Sequence, residues 1–167
     1  MSNNDASMAS LVEDWIVDQI ATLTPFSDDN VLVYPGTRAK TGSQLIDEFT
    51  RLRSPFALVT FVEDVPVRRL TEGEQAYDPT YAIYIIVRSE REGKGRTGED
   101  RGGGNVIIGT NGIRDLLRTA LHDKIPGITA GGFYAQQSRF NGVRLLFERN
   151  DAFVMLAEVV ITEETAG

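Results

Sequence analysis

Gly93, Gly95 and Gly98 spell G-x-G-x-x-G inside the segment SEREGKGRTGEDRGGGNV, residues 89–106. Such spacing can cradle a phosphate, because in a dinucleotide fold the glycines let the backbone approach a pyrophosphate that also meets the free N–H groups of a helix start. That chemistry needs the third glycine to open the helix. Here EDRGGGN intervenes before the next apolar stripe, and no following strand ends in an acid placed to hold a ribose. Gly93, Lys94 and Gly95 also miss the G-x-x-x-x-G-K-[ST] order of a nucleoside-triphosphate loop. A small nucleotide-binding enzyme using Gly93–Gly98 is therefore the alternative reading, and an interaction loop with glycines for freedom is the expected one. From Arg88 to Arg101 five basic residues stand against four acidic ones, a net charge of +1, which makes a weak anion trap. A polar loop this long tends to be functional. Arg91, Lys94, Arg96 and Arg101 are accordingly candidate contact residues, on a segment 89–105 expected to order against a partner.

Other reactive side chains are sparse. His122 is the single histidine of the 167 residues and lies near the end of an expected helix, where the macrodipole favours it. No nucleophile and orienting acid stand at a spacing that would make it a general base, and no set of His or carboxylate ligands accompanies it. With no cysteine, thiolate catalysis, disulfides and Cys-containing metal sites are excluded. Glu13, Asp14 and Asp18 read as the solvated face of a helix. The aromatic clusters Tyr77, Tyr81, Tyr84 and Phe133, Tyr134, Phe140 would be stacking platforms only beside a basic groove, and the net charge of -7 argues for core or subunit packing instead. Tyr77, at the tip of a polar excursion, joins the candidate contact residues. No catalytic residue, cofactor site or metal site is expected.

The elements that must position these residues follow from periodicity. Leu11, Val12, Trp15, Ile16, Ile20 and Leu23 recur at helical steps, with Ser10 as an N-cap and Glu13 completing a capping box, or an earlier start that brings in Met8. Val31 to Tyr34 reads as a short strand closed by Pro35 and Gly36. Leu45, Ile46, Phe49 and Leu52 suggest a short helix stopped before Pro55. FALVTFV, residues 56–62, and YAIYIIV, residues 81–87, are β-branched and aromatic, as buried strands are. Between 106 and 121 lies a helical stripe with an uncertain start at Asn111 and Gly112. Then come a weakly alternating stretch 131–140, a short strand 143–147 and a long strand 152–162. Asn141-Gly142 is expected to turn a hairpin, as is ERND.

This order fits an α+β fold: a mixed, mostly antiparallel sheet with two principal helices packed on one face, in a single domain over residues 1–167 with loose ends at 1–7 and 164–167. The opening residues carry no positive and apolar leader pattern, and no run of apolar residues is long enough for a membrane span, so the expectation is a product made in the cytoplasm with no membrane partner.

From YAIYIIVRSERE through the charged loop to GTNGIRDLLRTAL, IPGI and FNGVRLLFERNDAFVMLAEVVITEE, preceded by the helix Leu11–Leu23 and the proline-opened strand Pro55–Val62, the chain resembles the small tail proteins of Mu-like phages and prophages. That family is similar to the tail-terminator and tail-completion proteins of long-tailed phages. The resemblance implies a virion structural protein: a tail terminator that assembles as a homohexameric ring on the end of the tail tube. Its partners would be other copies of itself, the tail tube protein, a head-side connector or neck protein and a sheath protein, with DNA only passing through the lumen. Within the same class, a tube subunit or a head-tail joining protein is the alternative.

Overall fold

The computed structural model describes residues 7–34, 44, 47, 54–69, 74–88, 97–100, 106–149 and 152–165. Helix α1 spans Met8–Ala21. Its N-cap is Ser7, whose hydroxyl accepts the Ser10 N–H at 3.2 Å. The earlier start is therefore the observed one, and Ser10 is not the cap. Glu13 is released from any capping box and instead accepts the Phe61 N–H at 3.0 Å, fastening the helix to the sheet.

Among the described residues, ten strands and the helix α2 follow: β1 (Val31–Val33), β2 (Phe56–Glu63), β3 (Pro66–Arg69), β4 (Gln75–Tyr77), β5 (Thr80–Arg88), β6 (Glu99–Asp100), β7 (Val106–Ile107), α2 (Thr110–Leu121), β8 (Thr129–Ala130), β9 (Phe133–Arg149) and β10 (Ala152–Thr165). The main sheet is mixed and mostly antiparallel: β1 lies parallel to β2, and β2, β5, β10 and β9 follow in antiparallel order. β3 and β4 prolong β2 and β5. Between them Asp78 donates its N–H to the Val65 carbonyl at 2.8 Å, so the four segments form one interrupted long hairpin. The polar excursion thus holds two short strands that its composition hides.

Alternation along the strands divides the core. Tyr81, Ile83, Ile85 and Val87 of β5, with Ala57 and Val59 of β2 and alternate residues of β10, pack under Val12, Ile16 and Ile20 of α1 and Ile113, Leu117 and Leu121 of α2. Both helices therefore cover one face, as the α+β reading expects. Phe56, Leu58, Ile86, Ala152 and Val154 form a smaller cluster with Tyr34 on the other face. Burial on both sides is why β5 reads as a continuous apolar run rather than an alternating one.

Asn30 seats β1. Its amide donates to the Pro55 carbonyl at 2.7 Å and its side-chain oxygen accepts the Ser27 N–H at 2.7 Å, which satisfies a buried polar group.

The largest departure from expectation is at Asn141-Gly142. β9 runs through these residues without turning, and the register steps from Val159 opposite Phe140 to Glu158 opposite Gly142. The pair is a β-bulge, with Gly142 at φ +106°. The hairpin expected at ERND is formed, with Arg149 paired to Ala152. β10 continues to Thr165, opposite Phe133, so Glu164 and Thr165 belong to the sheet and not to a loose tail. Gln44 and Asp47 are helical, and the other residues of the helix expected there lie outside the described residues.

Candidate assembly surfaces

The glycine-rich segment is described at its end. Gly98, at φ +78°, precedes β6, which pairs with β7, and only after that ribbon does Gly109 cap α2. The third glycine does not open the helix, and the sheet beside it is not a parallel doubly wound one, so the dinucleotide geometry is not built. Gly112 lies within α2, where an added Cβ would meet the Ile108 Cγ1 at 2.8 Å. Arg91, Lys94, Arg96 and Arg101 lie outside the described residues.

Tyr77 ends β4. It stands opposite Pro66 on one side and Glu163 on the other, its ring meets Phe133 edge-on with centroids 5.8 Å apart, and its hydroxyl donates to the Gln75 side chain at 3.0 Å. It braces the start of β9 and remains partly exposed. Tyr81 is fully buried against Phe61, and Tyr84 leans on Tyr34, so these tyrosines pack as core residues and not as stacking platforms. His122 follows α2 as its C-cap, and its Nδ1 accepts the Phe140 N–H at 3.1 Å. The buried Ser138 completes the tie by donating to the Leu121 carbonyl and accepting the Lys124 N–H at 3.0 Å. Residues 122–130 thereby cover the outer side of β9 as far as Phe140.

A group of acids collects where α1, the β2–β3 break, the start of β5 and the end of β10 meet. Burial pushes the Glu13 carboxyl up, against the lowering effect of its Phe61 hydrogen bond, with Asp14 adding to the rise. Glu163 is pushed up to about 7, by burial first and then by Asp64. The Tyr81 hydroxyl, held well above its ordinary value by burial and then by Glu163, Asp64 and Glu13, has no hydrogen-bond partner among the described residues. Glu13 is thus a half-buried anchor, while Asp14 and Asp18 are exposed as expected. Among the described residues no group of three or more His, Asp or Glu is placed to hold a metal ion. No helix among them is long and apolar enough to cross a membrane.

Among the described residues, Val33 and Ile125 are singly exposed, and exposed apolar side chains cluster at two places. On β9, Leu145 is 54% and Leu146 38% exposed, beside an open groove of about 150 Å³ lined by Asn141, Gly142, Val143, Arg144, Leu156 and Glu158. On the β2–β3 segment Val62, Val65 and Val67 are each about half exposed. Periodicity places Val62 and Leu145 on strands. What leaves them uncovered is their place on strands that end the sheet, which periodicity does not report.

These features define an α+β protein in which, among the described residues, apolar side chains lie open at sheet edges. No protein-family model matches the chain, and no curated protein matches it in sequence. Among solved structures, it is similar to a chain of "Virion of native gene transfer agent (GTA) particle", with a TM-score of 0.51 and 10% identity over 92% of this chain and 94% of that one. At that identity the likeness is one of fold, and it runs nearly end to end.

Proposed function

We propose that this chain is a virion structural protein of phage type that acts by assembly without turnover, as a tail terminator forming a homohexameric ring on the tail tube. The observation that carries the reading is the near end-to-end fold likeness to a chain of a gene transfer agent virion. The exposed apolar residues at two sheet edges give such a subunit surfaces on which to assemble. One face of the ring would seat on the tube protein, with a sheath protein alongside where the tail has one, and the other would receive the head-side connector. The loop bearing Arg91, Lys94, Arg96 and Arg101, together with Tyr77, would supply contacts, and the genome would pass through the lumen.

Light scattering on the purified chain, with negative-stain images, tests the role. A terminator stops at one ring of fixed mass, whereas fibres of unlimited length would mark a tube subunit. A strict monomer at high concentration that also fails to bind tails would remove the proposal.

A further inference from the structure

The two uncovered edges lie at opposite sides of the same sheet. β2, β5, β10 and β9 run in antiparallel succession, and β3 and β4 keep those directions, so β2–β3 and β9 are antiparallel to each other. A second copy in the same orientation therefore continues the alternation when its β2–β3 edge meets the first copy's β9. Each edge is open over only part of its length. β1 covers β2 as far as Val59, and Glu13 takes the Phe61 N–H, leaving the segment from Val62 onward without a strand partner on its outer side among the described residues. On β9 the covered part ends at Phe140, and the same holds for 141–148.

The two open stretches match in chemistry. Val62, Glu63, Asp64 and Val65 present two exposed acids between exposed valines, and neither acid has an ion-pair partner among the described residues. Val143, Arg144, Leu145 and Leu146 present an exposed arginine, likewise without an ion pair among the described residues, beside two exposed leucines. An antiparallel register that sets Asp64 against Arg144 also sets Val62 against Leu146 and Val65 against Val143. Glu63, Asp64 and Pro66 make the first edge a poor template for an arbitrary strand, since charges and proline on an edge discourage generic pairing. An edge offering a cation between apolar residues relieves that penalty, which gives selectivity as well as attachment.

We infer that the Val62–Val67 segment of one copy docks on the Val143–Leu146 edge of the next, in a head-to-tail contact that repeats around the assembly. This rests on the ring reading above and names its interface. Because the two surfaces differ, the contact is heterologous, and such contacts close into rings when the rotation permits.

Three preparations test it by light scattering: the native chain, Arg144→Glu, and Glu63→Lys with Asp64→Lys. The native chain should form a discrete oligomer, and each variant alone should dissociate with a constant raised about tenfold or more, since each brings like charges together. An equimolar mixture of the two variants should recover the native oligomer, because alternating subunits restore opposite charges at every contact. Circular dichroism checks that both variants remain folded. As the chain has no cysteine, Val62→Cys combined with Leu146→Cys gives a second readout: oxidation should yield a ladder of covalent multimers that neither single variant yields. A native oligomer that both charge variants and the cysteine pair leave unchanged and unlinked would overturn this interface while sparing the ring. A native chain that is monomeric throughout would overturn both.

Discussion

Single side chains carry two measurable consequences. Asn30 is 2% exposed and bridges Ser27 to Pro55, so Asn30→Ala strands both backbone partners and should cost about 2 kcal/mol in urea unfolding. Glu163 has a folded pKa raised to about 7 from 4.5. Between those values the folded state binds more protons than the unfolded one, so stability should fall as pH rises from about 4.5 to 7 and then level off. Glu163→Gln should flatten that slope and raise stability at pH 8 by roughly 1 kcal/mol, well under the full value for such a shift because the group is partly solvated. Urea titrations at pH 5, 6, 7 and 8 read both effects, and an unchanged slope in the variant would assign the pH dependence to other groups. Neither role is legible in the sequence. Asn30 looks like a turn residue, and Glu163 looks like one more acid near the C-terminus until the fold brings Asp64 beside it.

At the scale of elements, β9 bulges at Gly142. Its φ of +106° lies where a side chain is strained, although no atom stands within 4 Å of an added Cβ. Gly142→Ala should therefore cost about 1–3 kcal/mol through the backbone alone, measured as a lowered midpoint of unfolding. The Asn-Gly pair announces a positive φ angle, and a two-residue turn and a bulge both need one, so the residues themselves do not distinguish the outcomes. The decision comes from β10, whose long apolar run pairs on both sides of the bulge and holds β9 in line. The strong strands 56–62, 81–87 and 152–162 and helix α1 were legible because burial leaves an apolar period. β3, β4, β6 and β7 were not, being two to four residues long, too short to show a period; β3 pairs with β4, β6 with β7, and β4 also with the distant β10. On the open half of β9, Leu145→Asp should leave the unfolding free energy within about 0.5 kcal/mol of native, as surface changes do. Its assembly should be lost even in a mixture with the charge variants, which separates the apolar part of the contact from the ionic part.

For the whole molecule, the α+β arrangement was legible because the order of helical and strand periods admits few topologies. Assembly surfaces were less so. Which valine or leucine stays uncovered depends on where the sheet stops, and complementary edges become visible only when strand directions are known. The glycine-rich motif illustrates the converse: a pattern in the chain loses its chemical meaning once β6 and β7 are found between Gly98 and α2. The central claim, that the chain works by closing copies of itself into a ring, is tested most directly by its mass in solution across a wide range of concentration. A single species at the hexameric multiple of 18.4 kDa, unchanged on further concentration, is the predicted result. A mass that stays at one copy, or that grows without limit, would contradict it.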